Sequence, residues 1–129
     1  MADAAKPRIL VIDDASLVRM YYRDALERAG YEVDEALNGL EALERLLVSP
    51  ADLLIVDVNM PQMDGISFLK VLRRQPLPTA GIPAVVVSTE AGPQDMAAAR
   101  AAGANYYLVK PLTPEALVEH VALMCGPAA

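Results

Sequence analysis

Five short runs rich in Val, Ile, Leu and Tyr, each followed by apolar residues at helical spacing, restrict this chain more than any other feature. The runs are Arg8–Ile12 (RILVI), 31–36 (YEVDEA), 52–56 (DLLIV), 83–87 (PAVVV) and Tyr106–Val109 (YYLV). β-branched and aromatic residues favour the pleated strand. Helical periodicity follows in Leu17, Met20, Tyr21 and Leu26, then Leu40, Leu43, Leu46 and Leu47, then Ile66, Leu69 and Leu72. It returns in Met96, Ala99 and Ala102, and again in Leu117, Val121 and Met124. Strand and helix alternate throughout, which predicts a parallel sheet covered by helices on both faces. The first, third and fourth runs are continuously apolar, as central strands should be, whereas YEVDEA alternates and suits an edge. The doubly wound α/β order 2-1-3-4-5 of a flavodoxin-like (βα)5 domain meets that pattern. It places a ligand crevice beyond the carboxyl ends of the first and third strands.

A chain of 129 residues is one ordinary domain. A single unit over 1–129, with its core at about 8–125 and no effector domain, is expected. At 54% hydrophobic and 22% charged residues, a globular chain is favoured over a disordered one. The net charge of −6 disfavours a nucleic-acid backbone or an anionic membrane as partner. The lone Cys125 allows no internal disulfide and is too few for a thiolate zinc site, and the lone His120 argues against His-rich metal centres. The apolar run near the N-terminus is too short for a signal-peptide core, and no stretch reaches the roughly 20 apolar residues of a membrane span. A reduced, cytoplasmic protein, expected to be monomeric, fits these features. The segment 75–83 (QPLPTAGIP) reads as a long loop, and Gly126-Pro127 as a helix stop.

The residues that follow the apolar runs carry the chemistry. Ile12 is followed by Asp13-Asp14, Val56 by Asp57, Val87 by Ser88-Thr89, and Val109 by Lys110-Pro111. Each has a bland explanation: Asp13-Asp14 as a helix cap, Asp57 with Pro61, Asp64 and Gly65 as a turn, Ser88 as a cap, Lys110 as a solvated lysine. In a parallel sheet, however, all four strand ends meet at one edge. Three carboxylates gathered there repel one another unless a hard cation joins them. Mg²⁺ takes about six oxygens, including one or two carboxylates, water and phosphate oxygens, and no calcium loop of the D-x-D-x-D-G kind is present. Mg²⁺ beside a carboxylate points to phosphoryl transfer, with Asp57 as nucleophile and with Lys110 and the Ser88 hydroxyl on the phosphoryl oxygens.

The set Asp13-Asp14, Asp57, Ser88 and Lys110-Pro111, together with the loop VDVNMPQMDG (56–65), resembles the receiver domain of two-component response regulators, chemotaxis regulators in particular. The resemblance spans about residues 8–125. It implies that Asp57 is the phospho-acceptor, that Asp14 ligates Mg²⁺ directly, and that Asp13 acts mainly through water. It further implies that Asn59 offers its backbone carbonyl to the metal, with Mn²⁺ as a substitute. Lys110 would pair with the phosphoryl group, and its bond to Pro111 would be cis. X-Pro bonds are cis in only about 5–6% of cases, so that expectation rests on the resemblance. Tyr107 would be the switch aromatic, moving inward when Ser88 engages the phosphoryl group, while Asn59 and Glu90 would tune its lifetime.

On this reading the chain is a signalling switch that dephosphorylates itself slowly. Its donor is a sensor histidine kinase or phosphotransfer protein. Its output is a downstream target protein on the face built by the fourth helix, fifth strand and fifth helix. Met60 and Met63 are expected to fill core or loop space, and His120 to lie at or near the surface. The runner-up is a haloacid-dehalogenase-like phosphatase with Asp57 as nucleophile, but that family has Asp where this chain has Asn59. A flavin module would need a Ser/Thr- and Gly-rich loop where the chain has DDASL. A degenerate receiver that only binds partners would lack acceptor-site residues that are present here.

Overall fold

The computed structural model describes residues 6–128. The reading of the extreme N-terminus therefore falls partly outside the described residues. The elements run β1 (Arg8–Ile12), α1 (Ser16–Arg28), β2 (Glu32–Ala36), α2 (Gly39–Val48), β3 (Leu53–Asp57), α3 (Gly65–Leu72), β4 (Ala84–Ser88), α4 (Pro93–Ala102), β5 (Tyr106–Val109) and α5 (Pro114–Cys125). All strands are parallel in the order β2-β1-β3-β4-β5. The expected strands are all present; the second, third and fourth each begin one residue later than the sequence suggests. For β3 and β4 this shift makes Asp57 and Ser88 the last strand residues. Among the described residues, no helix is long and apolar enough to cross a membrane.

The continuous apolar runs are explained by the two cores they feed. Leu10, Ile12, Leu54, Val56, Ala84 and Val86 face α2, α3 and α4, with Phe68, Leu69 and Leu72 filling that layer. Ile9, Val11, Leu53, Ile55, Val85 and Val87 face α1 and α5, against Tyr22, Leu26, Leu117 and Val121. Successive side chains point to opposite faces, so a strand buried on both sides must be apolar at every position. Each fully buried Ile, Leu or Val contributes about 1.5–3 kcal/mol relative to exposure. The edge strand β2 buries fully only Ala36 among its residues.

Helix ends follow local chemistry. The Asn38, Asp64 and Thr113 side chains accept from the backbone N–H groups of Glu41, Ser67 and Ala116, capping α2, α3 and α5. Gly103 closes α4 at a φ of 118°, in the left-handed region that glycine enters freely. The loop 75–83 contains a short 3-10 turn (Thr79–Gly81), and its Leu77–Pro78 bond is cis, as is Lys110–Pro111.

The helix faces correct the sequence reading. On α1, Leu17, Met20 and Tyr21 are exposed, and the sheet-facing stripe is Tyr22, Ala25 and Leu26. On α2, Leu40 and Leu47 are exposed, and Gly39, Ala42 and Leu46 are buried. Small residues let a helix approach its neighbours closely. At the start of α2 the close neighbours are α3 and the loop before it: a Cβ on Gly39 would come within 2.7 Å of Phe68 Cβ and 2.9 Å of Met63 Cγ. The expected α3 positions hold for Leu69 and Leu72, joined by Phe68, while Ile66 is half-buried. Met60 and Met63 pack at the margin of the first core, in line with their expected filler role.

Candidate functional site

The carboxyl edge of the sheet gathers the expected residues. Asp13 directly follows β1, Asp57 ends β3, Ser88 ends β4 and Lys110 directly follows β5. Strand register brings them level: Ile12 pairs with Val56, Asp57 with Val87, and Ser88 with Val109. The Lys110 backbone N–H donates to the Ser88 carbonyl at 2.8 Å, tying the fourth and fifth strand ends together.

Asp13, Asp14 and Asp57 each offer a carboxylate oxygen within 4.8 Å of the others. Lys110 Nζ stands 3.8 Å from Asp13 Oδ2 and 3.8 Å from Asp57 Oδ1. Asp13 is buried, Asp57 half-buried and Asp14 exposed, so the cluster runs from the interior to solvent. The capping explanation for Asp13-Asp14 fails, because the N-cap of α1 is Ala15 and it has no side-chain cap. Asp13 instead turns one oxygen onto the Ala15 N–H, at 2.9 Å, and leaves the other toward Lys110. Ser88 is likewise not a helix cap, since Gly92 occupies that position of α4.

Electrostatics match the geometry. Burial, then the negative charge of Asp13, push the Asp57 carboxyl up to about 6, against the pull of Lys110. Burial also raises Asp13, opposed by the Ala15 hydrogen bond and Lys110. Tyr22, buried beneath the cluster, is pushed upward by its burial and by the charges of Asp13 and Asp57. One ammonium therefore leaves the carboxylates incompletely neutralised. Three hard oxygen donors with unneutralised charge, open to water on the Asp14 side, fit a Mg²⁺-type ion.

The loop after β3 is shaped by close packing. Asp64 caps α3, and the Gly65 N–H donates to the Val58 carbonyl at 2.9 Å. A Cβ on Gly65 would run into the Asp57 carbonyl oxygen. Asn59 is exposed on this loop. At the other flank, the buried Ser88 Oγ accepts from the Glu90 N–H at 3.1 Å, and the Tyr107 hydroxyl donates to the Glu90 carbonyl at 2.7 Å. Tyr107 pairs with Val86 in the sheet, and its hydroxyl is linked to the site through Glu90. The structure thus brings Asp13, Asp14, Asp57 and Lys110 together, with Ser88 at the adjoining strand end. It leaves Asn59, Glu90 and Tyr107 at the rim. Sequence reasoning missed Arg19, whose Nη1 donates to the Asp13 carbonyl at 2.7 Å, and Tyr22 beneath the acids. No short motif marks either residue.

Comparisons with known proteins point the same way. A family model described as response regulator receiver domain matches residues 9–122. The chemotaxis protein CheY1 of Helicobacter pylori is 39% identical over 121 residues, covering 92% of this chain and 97% of that protein. The transcriptional regulatory protein PrrA of Mycobacterium leprae is 37% identical over 117 residues, but the chain spans only 49% of its length. Among solved structures, the chemotaxis protein CheY4 of Vibrio cholerae superposes with a TM-score of 0.87 at 36% identity, covering 93% of this chain and 99% of that one. Nothing in these comparisons supports the haloacid-dehalogenase alternative. With the acidic cluster at the sheet edge, the 2-1-3-4-5 order and a family match over most of its length, this chain belongs to the response regulator receiver domains.

Proposed function

We propose that the chain is a phosphorylation switch of the cytoplasm that accepts a phosphoryl group on Asp57 from a sensor histidine kinase or phosphotransfer protein. The observation that carries this reading is the convergence of three carboxylates within 4.8 Å of one another, with the Lys110 ammonium 3.8 Å from Asp57. An Asp57 carboxylate oxygen attacks phosphorus, the P–N bond of a phosphohistidine breaks, and the imidazole leaves. Water later hydrolyses the acyl phosphate, restoring the carboxylate and releasing inorganic phosphate. Without a metal, burial and Asp13 push the Asp57 carboxyl up to about 6, and a divalent cation bound beside it would favour the ionised, nucleophilic form.

Asp13, Asp14, Asp57 and the Asn59 backbone carbonyl would hold Mg²⁺, with Mn²⁺ as a substitute. The bound ion supplies neutralisation of charge on the transferring group. Lys110 supplies a positioned cation to the phosphoryl oxygens. The Ser88 hydroxyl turns from Glu90 to a phosphoryl oxygen. That loosens the Ser88–Glu90–Tyr107 hydrogen-bond chain and frees the Tyr107 ring to move inward. Asn59 and Glu90 border the entry of water and tune the phosphoryl lifetime.

The readout is binding of a target protein by the face made of α4, β5 and α5. α4 is suited to move, because it buries only Ala99 and Ala102 and has no side-chain cap. Alanine side chains remove little apolar area, so displacing this helix costs little. The names of CheY1 and CheY4 make chemotaxis the setting to test first.

The test is incubation with acetyl phosphate or beryllofluoride, with and without Mg²⁺, followed by mass spectrometry and Tyr fluorescence. A Mg²⁺-dependent gain of one phosphate that disappears in Asp57→Asn is expected. A gain that persists in Asp57→Asn would move the acceptor elsewhere.

A further inference from the structure

Asp13 is held from three sides. Its N–H donates to the Ala36 carbonyl of β2 at 3.1 Å, and its Oδ1 accepts from Ala15. Its own carbonyl accepts from Arg19 Nη1 at 2.7 Å. The Arg19 side chain is only 12% exposed, far from the usual solvated arginine. Its Nε donates to Glu35 Oε1 at 2.8 Å, and the second Glu35 oxygen accepts from Arg23 Nε at 2.6 Å. Arg23 continues to the Val33 carbonyl at 3.1 Å and to Glu27 Oε2 at 3.4 Å. One edge-strand carboxylate is therefore clasped by two arginines four residues apart on α1. Of the two, only Arg19 reaches back to the acidic site.

We infer that Arg19 is a positioning residue of the cation site: it fixes Asp13 through its backbone carbonyl, and Glu35 aims the guanidinium that does so. The inference rests on the reading that Asp13, Asp14 and Asp57 take a divalent cation. Two physical reasons support it. Oxygen ligands bind a small hard ion well only when held near their final places by the groups behind them. Asp13 is 3% exposed, so losing Arg19 leaves a buried carbonyl without a partner and lets the loop between β1 and α1 relax. The second reason concerns charge. A bare cation behind the site would repel the metal, but Arg19, Arg23, Glu27 and Glu35 form one line with no net charge. Glu35, paired with Arg19 at 2.8 Å, thus offsets part of the guanidinium's repulsion of the ion while keeping its direction. Glu35→Gln would keep the geometry in part and leave an uncompensated positive charge.

The experiment is Mn²⁺ binding to the full chain, read directly as free Mn²⁺ by electron paramagnetic resonance, well below the melting temperature of each variant. Arg19→Met keeps the aliphatic stem and should weaken Mn²⁺ binding by about tenfold or more, as loss of a group behind a metal ligand does. Arg19→Lys, with one donor nitrogen in place of the fork, should stay several-fold weaker than the parent. It carries the comparison should Arg19→Met not fold. Arg23→Met breaks equivalent contacts to Glu35 and Val33 but none to Asp13, and should stay within about twofold of the parent. Equal affinity in both Arg19 variants and the parent overturns the inference alone, as does an equal loss in Arg23→Met and Arg19→Met, which would mark a general scaffold effect. A parent chain that takes up no Mn²⁺ overturns the cation-site reading itself, and the inference with it.

Discussion

Replacing Asp57 by Asn should stabilise the metal-free protein, even though it removes the residue proposed to be essential. Burial and the neighbouring Asp13 raise the Asp57 carboxyl from 3.8 to about 6, and its side chain is only 14% exposed, so solvent screening removes little of the effect. A folded-state pKa above the unfolded one means that the folded chain prefers the protonated carboxyl. The associated stability is fully present below pH 3.8 and is lost as the pH rises through about 6. The shift is about two units at about 1.36 kcal/mol each, which puts the cost of ionised Asp57 near 3 kcal/mol at pH 8. Asn keeps the size and removes the charge, and Lys110 keeps Asp13 as a partner at 3.8 Å. A gain of about 1–3 kcal/mol follows, or roughly 3–15 °C in melting temperature for a domain of this size. The assay is urea or thermal unfolding in EDTA at pH 8 and pH 4. The two proteins should differ at pH 8 and converge at pH 4. Mg²⁺ should stabilise the parent, by about 2.7 kcal/mol at a hundredfold excess over its dissociation constant, and do far less for the variant. An Asp57→Asn protein less stable than the parent in EDTA at pH 8 would refute the charge-repulsion account of this site.

Gly65→Ala should destabilise the fold by about 1–3 kcal/mol in denaturant melts, because its Cβ meets the Asp57 carbonyl and Val56 with no flexible group to yield. It should also weaken Mg²⁺ uptake by displacing Asp57. Arg73 donates to the carbonyls of Ala80, Ile82 and Gly103 and to Asn105 Oδ1, binding the end of α3 to the turn before β5. Arg73→Lys should lose about 2–4 kcal/mol by urea unfolding, since one ammonium cannot replace the fork. Leu47→Lys should change stability by less than about 0.5 kcal/mol, whereas Leu46→Ala should cost about 2–4 kcal/mol. Equal effects at these neighbouring positions would contradict the assignment of the α2 faces.

The sheet was legible because its signal is local and redundant. Arg8–Ile12 and Tyr106–Val109 were delimited correctly from side-chain type alone. Strand burial also showed, since continuous and alternating apolar runs separate central strands from the β2 edge. The helix faces were less legible. α1 and α2 each carry two apolar stripes, and periodicity alone does not say which one meets the sheet. Leucine is the stronger apolar signal, yet Gly39, Ala42 and Ala25 face inward, and at Gly39 the reason is the close approach of α3 and the loop before it, which leaves no room for a side chain.

By itself, the sequence determined where the strands end to within one residue, and hence that Asp13, Asp57, Ser88 and Lys110 lie at one edge. That conclusion needs only the parallel direction of strands separated by helices. Tertiary structure alone decided what surrounds them. Arg19 and Glu35 lie 16 residues apart in sequence and meet only because β2 pairs with β1 beside α1. The raised pKa of Asp57 likewise depends on burial and on the nearness of Asp13, two properties of the packed edge rather than of either aspartate's neighbours in the chain.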